Sequence, residues 1–382
     1  MTIDQKYQID FVLVTHTKGI FFNPHRPEGL AFTPSTKTGL RFVLKPSDPK
    51  GDACGHREGL ECRLYSSYPA TKEQFDFVVA INNHRVMLRV ADDISLPYKP
   101  KEEILINKDG KYKDGFSPRR YLCPSDIQQL IKNVESELAS QTSQFLKLLR
   151  WRQGIDAPGE VIEHRSLYWK VEAGDCHSVP LDGGSHHTVV VPEMYGIHWD
   201  SADSVDLQKL WAQDDIAEPL GHALVREAAA LASESPRSAI LIMTAALETA
   251  VKMHISNIAP DTDWLMEEIP SPPIFKMLRD YIPLIHGRRG SGLVWWVNVN
   301  PFVKKVQKLI ELRNKVAHTG KIPQDAAPIH ENLELVSDLL YLLDVLAGHD
   351  WAKSLASHKF REALGWPNPT HGRTTSKITW GH

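Results

Sequence analysis

The chain has 382 residues, 42% hydrophobic and 24% charged, a globular composition with more length than one core usually fills, so roughly two or three domains are expected. Its 44 Lys and Arg against 47 Asp and Glu leave a formal charge of -3, which excludes an overall basic field; any nucleic-acid contact has to come from a local patch. The first residues carry no apolar signal core, no apolar run of about eighteen occurs, and Cys54, Cys62, Cys123 and Cys176 form no CxxC pair, so a soluble cytoplasmic protein without membrane contact or a disulfide framework is expected.

Residues 1 to 122 alternate short β-type runs with turns, at 8–14, 19–22, 40–44, 60–65, 75–81, 85–90 and 103–106. Asn82-Asn83-His84 is the expected hairpin turn between the fifth and sixth runs. This pattern predicts an antiparallel sandwich or barrel. From Ser125, an N-cap residue, to 151 runs one long helix with Ile127, Leu130, Ile131, Val134, Leu138, Phe145, Leu148 and Leu149 at helical spacing. Extended pieces follow at 161–171 and 188–191, separated by the turn Asp182-Gly183-Gly184. The region 155–200 either extends the first domain or packs between two. Residues 1–200 are thus expected to form a β-rich recognition or sensor domain, and nothing in them names a ligand.

After Trp199 the texture becomes helical, which predicts an all-α bundle over 201–365 and makes the protein α+β and multidomain. Helices are expected at 204–213, 217–233, 236–257, 273–286 with an interruption at Pro283, 300–319, 325–348 and 350–364. The helix at 236–257 is apolar nearly all round, as the central member of a bundle is. Residues 366–382, with Pro367, Pro369 and Gly372, are expected to be an irregular tail.

The chemistry-bearing stretch is Glu311-Leu312-Arg313-Asn314-Lys315-Val316-Ala317-His318-Thr319-Gly320. It ends a helix expected to open at Asn300-Pro301, with asparagine as N-cap, and to close on Gly320 as a C-cap glycine. At about 100° per residue, Phe302, Val303, Val306, Leu309, Ile310, Val316 and Ala317 share one face, and Lys304, Lys305, Lys308, Glu311 and Lys315 the other. Arg313 falls within roughly 20° of Phe302 and Val306, where a guanidinium requires a carboxylate, a water-filled cleft or a second subunit. Asn314 and His318, four apart, neighbour each other at the edge of that arc. Glu248 stands among Leu241, Val251 and Ile255 on the central helix, which predicts an interhelix Glu248–Arg313 ion pair; pairing with Lys252 at i+4 is the plainer alternative.

Ala246-Leu247-Glu248 on a long apolar helix, followed by a later core helix ending in Arg313-Asn314-Lys315-Val316-Ala317-His318, resembles the HEPN superfamily over about residues 204–364. The resemblance implies an HEPN-like bundle that dimerises and a metal-independent endoribonuclease, a hydrolase of the kind that acts in toxin–antitoxin, abortive-infection and CRISPR-linked antiviral defence. It implies catalysis by Arg313 and His318, assisted by Asn314, with no cofactor and with RNA as substrate; an inhibitor or activator protein is left open. In HEPN toxins neutralised by AMP transfer a tyrosine sits two places after the histidine, and here that place holds Gly320, which counts against that control. The alternative is a non-catalytic HEPN-like scaffold that dimerises and presents the N-terminal domain to a partner.

Those residue types suit the reaction. Metal-free RNA cleavage uses the adjacent 2′-hydroxyl as nucleophile, and histidine can take or give the protons while an arginine fork matches phosphate oxygens. Arg313 and His318, roughly 140° apart on one helix, spread poorly over one small target; a two-fold that pairs His from one chain with Arg from another brings them together. The plainer alternative is that His318 only caps the helix and Arg313 only pairs with Glu248.

Arg288, Arg289 and Trp295 form a basic, aromatic loop suited to single-stranded RNA together with Lys315, although adjacent tryptophans such as Trp295-Trp296 more often pack a core. Cys54, His56, Cys62 and Cys176-His177 could supply four zinc ligands, but their spacing matches no zinc module, so no metal is expected. No Gly-Lys-Ser/Thr phosphate loop, G-x-S-x-G elbow or H-E-x-x-H motif occurs.

Overall fold

The computed structural model describes residues 7–17, 20–22, 28–33, 39–46, 59–82, 120, 123–155, 162–171, 176–180, 195–197, 199–213, 216–262, 268, 273–288 and 294–369. The chain divides into two compact units. Among the described residues the first runs to Leu146 and resumes over 162–213, and the second holds 147–155 and everything from 216 onward.

The first unit is built on strand β1 (Gln8–Thr17), which pairs antiparallel with β5 (Leu60–Pro69) on one edge and β6 (Ile162–Lys170) on the other. Its apolar run, rather than strict alternation, suits a strand covered on both faces; Phe11, Val12, Leu13 and Val14 are all buried. Leu13 lies between Leu64 and Leu167 in register, so three leucines set the middle of the sheet. With β3 (Leu30–Phe32), β4 (Arg41–Pro46) and β7 (His177–Ser178) the order is β3-β4-β5-β1-β6-β7. The expected sandwich or barrel is therefore, among the described residues, one open six-stranded antiparallel sheet. A separate short parallel pair joins β2 (Ile20–Phe22) to β8 (Tyr195–Ile197).

The predicted strand at 75–81 is instead helix α1 (Lys72–Asn82). Thr71 and Gln74 exchange hydrogen bonds, Gln74 N–H to Thr71 Oγ1 at 3.2 Å and Thr71 N–H to Gln74 Oε1 at 3.1 Å. That reciprocal cap starts a helix and overrides the strand preference of Phe75, Phe77, Val78 and Val79. Asn82 of the expected hairpin ends α1; Asn83, His84, the runs at 85–90, 103–106 and 188–191, and the turn at 182–184 lie outside the described residues.

The long helix is present as α2 (Ser125–Gln153). Its Phe145 stacks on Phe42 of β4 at 3.8 Å between centroids and meets Phe32 of β3 at 5.1 Å. Helix α3 (Ser201–Trp211), capped reciprocally by Asp200 and Asp203, brings Trp211 edge-on to the same Phe145 at 5.2 Å. This aromatic anchoring places α3 in the first unit, although helical texture alone starts the bundle at 201.

The second unit is helical, comprising the end of α2, then α4 (Leu220–Leu231), α5 (Pro236–Ile258), α6 (Ile282–Arg288), α7 (Asn300–Thr319), α8 (Ile329–Leu346) and α9 (His358–Leu364). A turn of π-helix at Met277–Tyr281 precedes α6, and Pro283 lies inside α6. Helix α5 is long and apolar enough to cross a membrane by composition alone, yet it packs against α4, α7 and α8 and buries Ile240, Met243, Leu247, Val251 and Ile255 among them. Gly221 permits this closeness: a Cβ there would stand 3.0 Å from Ala250 Cβ and 3.1 Å from Leu340 Cδ2. The layout is α+β, an antiparallel sheet followed by a helical region.

Candidate active site

Helix α7 follows a 3-10 turn (Val294–Val299) that anchors its start through buried Trp296 and Val299. Asn300 is the first helical residue rather than the cap, because the turn runs straight into the helix with Val299 at φ -80° and ψ -24°. The apolar stripe is buried at Phe302, Val303, Val306, Leu309 and Val316 and half-buried at Ile310, while Ala317, assigned to the same stripe, is exposed. Gly320 closes the helix in the left-handed conformation, φ 64°, its N–H donating to Val316 O at 2.8 Å. Thr319 Oγ1 donates to Lys315 O at 2.7 Å, and Arg237 from the first turn of α5 donates Nη1 to Gly320 O at 3.2 Å. The end of α7 is thus satisfied by its own glycine, threonine and a neighbouring arginine.

His318 takes no part in that capping. It is exposed, and its side chain makes no hydrogen bond or ion pair among the described residues. Arg313, one turn earlier, is half-buried and donates Nη1 to Asn314 Oδ1 at 3.0 Å, so Asn314, itself exposed, holds the guanidinium fork. Within one chain Arg313 and His318 do not touch, as expected for side chains roughly 140° apart around one axis.

The expected Glu248–Arg313 ion pair is not a direct contact. Glu248 on α5 is half-buried; burial pushes its carboxyl pKa above the usual range, and the nearby charges of Arg313 and then Lys252 pull it back only in part. Arg313 is bonded to Asn314 instead, and neither side chain is dry enough to demand the partner within salt-bridge distance. Lys252 is buried on α5, so both cations weighed for Glu248 act on its charge.

Of the residues assigned to RNA contact, Lys315 is exposed on α7. Arg289 lies outside the described residues, and Arg288 and Trp295 are described only in their backbones, which end α6 and open the 3-10 turn. Among the weighed zinc ligands, Cys62 is buried on β5 with its thiol pKa pushed far up by burial and then by Glu61, while Cys176 is exposed; Cys54 and His56 lie outside the described residues. No group of three or more His, Cys, Asp or Glu that could hold a metal occurs among the described residues.

Two polar centres inside the bundle escaped sequence reasoning. His254 of α5 and His286 of α6 face each other at 3.0 Å between Nε2 atoms, with ring centroids 5.3 Å apart and planes inclined by 19°. The rings therefore meet edge to edge, nearly coplanar, with one nitrogen donating and the other accepting. The second centre is Asp344 of α8, whose Oδ2 accepts from Trp151 Nε1 at 2.9 Å and meets His222 Nε2 of α4 at 2.8 Å. Neither pairing has a sequence signal, since the partners lie far apart in the chain and sit on apolar faces where histidine reads as filler.

No family model matches the chain, and comparison with curated proteins and with solved structures finds no match.

Proposed function

We propose that the helical unit is a metal-independent endoribonuclease of HEPN type, acting in the cytoplasm as a homodimer in which His318 of one chain and Arg313 of the other converge on one phosphodiester. One observation carries this reading: His318 stands exposed at the end of α7 with no structural task, because Gly320, Thr319 and Arg237 already cap the helix. An imidazole in that position is available to substrate, and Arg313–Asn314 presents a pre-oriented fork one turn away.

In the composite site His318 accepts the 2′-hydroxyl proton as that oxygen attacks phosphorus and, now protonated, gives it to the departing 5′-oxygen. Arg313 binds the phosphorane oxygens as their charge grows, and Asn314 keeps its fork in plane. Glu248 sets the charge balance behind Arg313 without touching it. The products are a 2′,3′-cyclic phosphate and a 5′-hydroxyl. Action in phage defence or as a toxin follows from the family resemblance alone.

The second reading, a non-catalytic HEPN-like scaffold, is favoured by the arrangement within one chain, where Arg313 is bonded to Asn314 and His318 stands apart from it. Purified protein incubated with total RNA in EDTA separates the two. Cyclic-phosphate ends that vanish in both His318→Ala and Arg313→Ala support the nuclease; intact RNA at every protein concentration and pH supports the scaffold.

A further inference from the structure

The outer face of α7 carries a charge pattern that the helix itself does not need. Lys304, Lys308, Lys315 and His318 fall within an arc of about 80° at 100° per residue, and all four are exposed. Along the axis, at about 1.5 Å per residue, Lys304 and Lys308 are about 6 Å apart, Lys308 and Lys315 about 10 Å, and His318 lies about 4.5 Å beyond. The imidazole therefore stands at the end of a line of ammonium groups, whereas Arg313 lies on the opposite side of the helix, bonded to Asn314.

None of these lysines has a carboxylate within ion-pair distance among the described residues. Glu311 is the acid within the arc, and it could pair with Lys315 four residues on; instead its Oε1 accepts from Gln307 Nε2 at 3.1 Å. Lys305 is off the line, its ammonium held over the Phe302 ring at 5.7 Å. A face that merely keeps a helix wet interleaves acids and bases at i and i+4, because such pairs stabilise the helix and like charges destabilise it. Lys304 and Lys308 are a like-charged i, i+4 pair, and among the described residues no ion pair on this face offsets them. In a chain whose formal charge is -3, this is a local cationic line that matches a polyanion.

We propose that Lys304, Lys308 and Lys315 form a track for the phosphates of a single RNA strand, which runs along the outside of α7 and delivers its scissile bond to His318. The proposal rests on the reading of His318 as the cleaving group. From Lys304 to His318 the line is about 21 Å long, room for about six stacked nucleotides at about 3.4 Å each. Contact is through phosphates, so the track orders and retains the strand without reading its sequence.

The test measures binding of a fluorescein-labelled single-stranded oligoribonucleotide by anisotropy across a salt series, in the full chain carrying His318→Ala so that the probe survives. Each phosphate contact contributes a slope of about -0.7 to log K against log salt. The added triple variant Lys304→Gln, Lys308→Gln, Lys315→Gln is expected to flatten that slope by about 2, so that between 50 and 200 mM salt it loses roughly 20-fold less affinity than its parent. Lys305→Gln is expected to leave the slope unchanged. An unchanged slope in the triple variant, at unchanged helicity by circular dichroism, overturns the track even if the wild-type protein cuts RNA. Absence of RNA binding at low salt overturns it as well. A lysine-dependent slope in a protein that never cuts RNA sustains phosphate binding along α7 and overturns delivery to His318 together with the nuclease reading.

Discussion

Glu248 of α5 and Arg313 of α7 share an electric field without sharing a hydrogen bond: the guanidinium is held by Asn314, and it offsets only part of what burial does to the carboxyl. The folded protein therefore holds the Glu248 proton more tightly than the unfolded chain, and this group's contribution to stability falls as pH rises through and above its ordinary value of 4.5. Glu248→Gln, which cannot ionise, is expected to raise Tm modestly at pH 7 and leave it unchanged near pH 4. A drop in Tm at pH 7 shows instead that the pair is a stabilising ion pair.

The His254–His286 bond makes the bundle acid-sensitive. Burial first, and the neighbouring imidazole second, lower the His254 pKa from 6.5 to about 3. The unfolded chain takes up that proton first, so the stability this group maintains is complete above pH 6.5 and is lost as pH falls toward 3, at about 1.4 kcal/mol per pH unit. Urea midpoints measured from pH 7 to 4 should decline along this course in the wild type and less steeply in His254→Gln. Parallel declines would remove His254 as the cause.

Asp344 joins three helices of the second unit through Trp151 and His222. Removing a buried carboxylate with two such partners strands both, and Asp344→Ala is expected to cost about 3 kcal/mol. Trp151→Phe costs less alone and adds little on top of Asp344→Ala. Strictly additive losses in that cycle would mean the Trp151 hydrogen bond does not depend on the carboxylate.

Thiol chemistry should divide the cysteines by depth. Cys176 is exposed, whereas Cys62 is buried and Cys123, also buried, has its pKa pushed up to about 11 by burial against a smaller pull from Arg120. Mass-spectrometric mapping after brief iodoacetamide treatment at pH 8 should find Cys176 alkylated and Cys62 and Cys123 intact. Early labelling of Cys62 would contradict the packing of β5.

The features readable from the sequence are those written in local spacing. Helix α7 and its terminal Gly320, the central apolar α5 and the long α2 follow from periodicity and caps, and all three are present. Helix α1 was masked by its β-branched and aromatic residues, although the Thr71–Gln74 cap was visible in the sequence as T-x-x-Q. Strand β3, three residues long, is too short to give a periodic signal and is defined by its pairing with β4. The depth of Arg313 was overestimated because a helical wheel places a residue by angle alone, and near a helix end the neighbouring helix no longer covers the full arc; exposed Ala317 shows the same limit. That the sheet is open among the described residues, rather than closed, depends on long-range pairing that no run of residues encodes.

Strand β1 occupies the middle of its sheet while coming first among the described strands. On the ribosome it can zip to β5 once residue 69 has emerged, but its other edge waits for β6, roughly another hundred residues later at about 5–20 residues per second. For those seconds a buried-to-be apolar ribbon offers bare amide and carbonyl groups to any passing strand. The nascent protein is therefore expected to lean on holdase chaperones during synthesis, and truncations that stop before residue 162 should aggregate while the 382-residue chain does not.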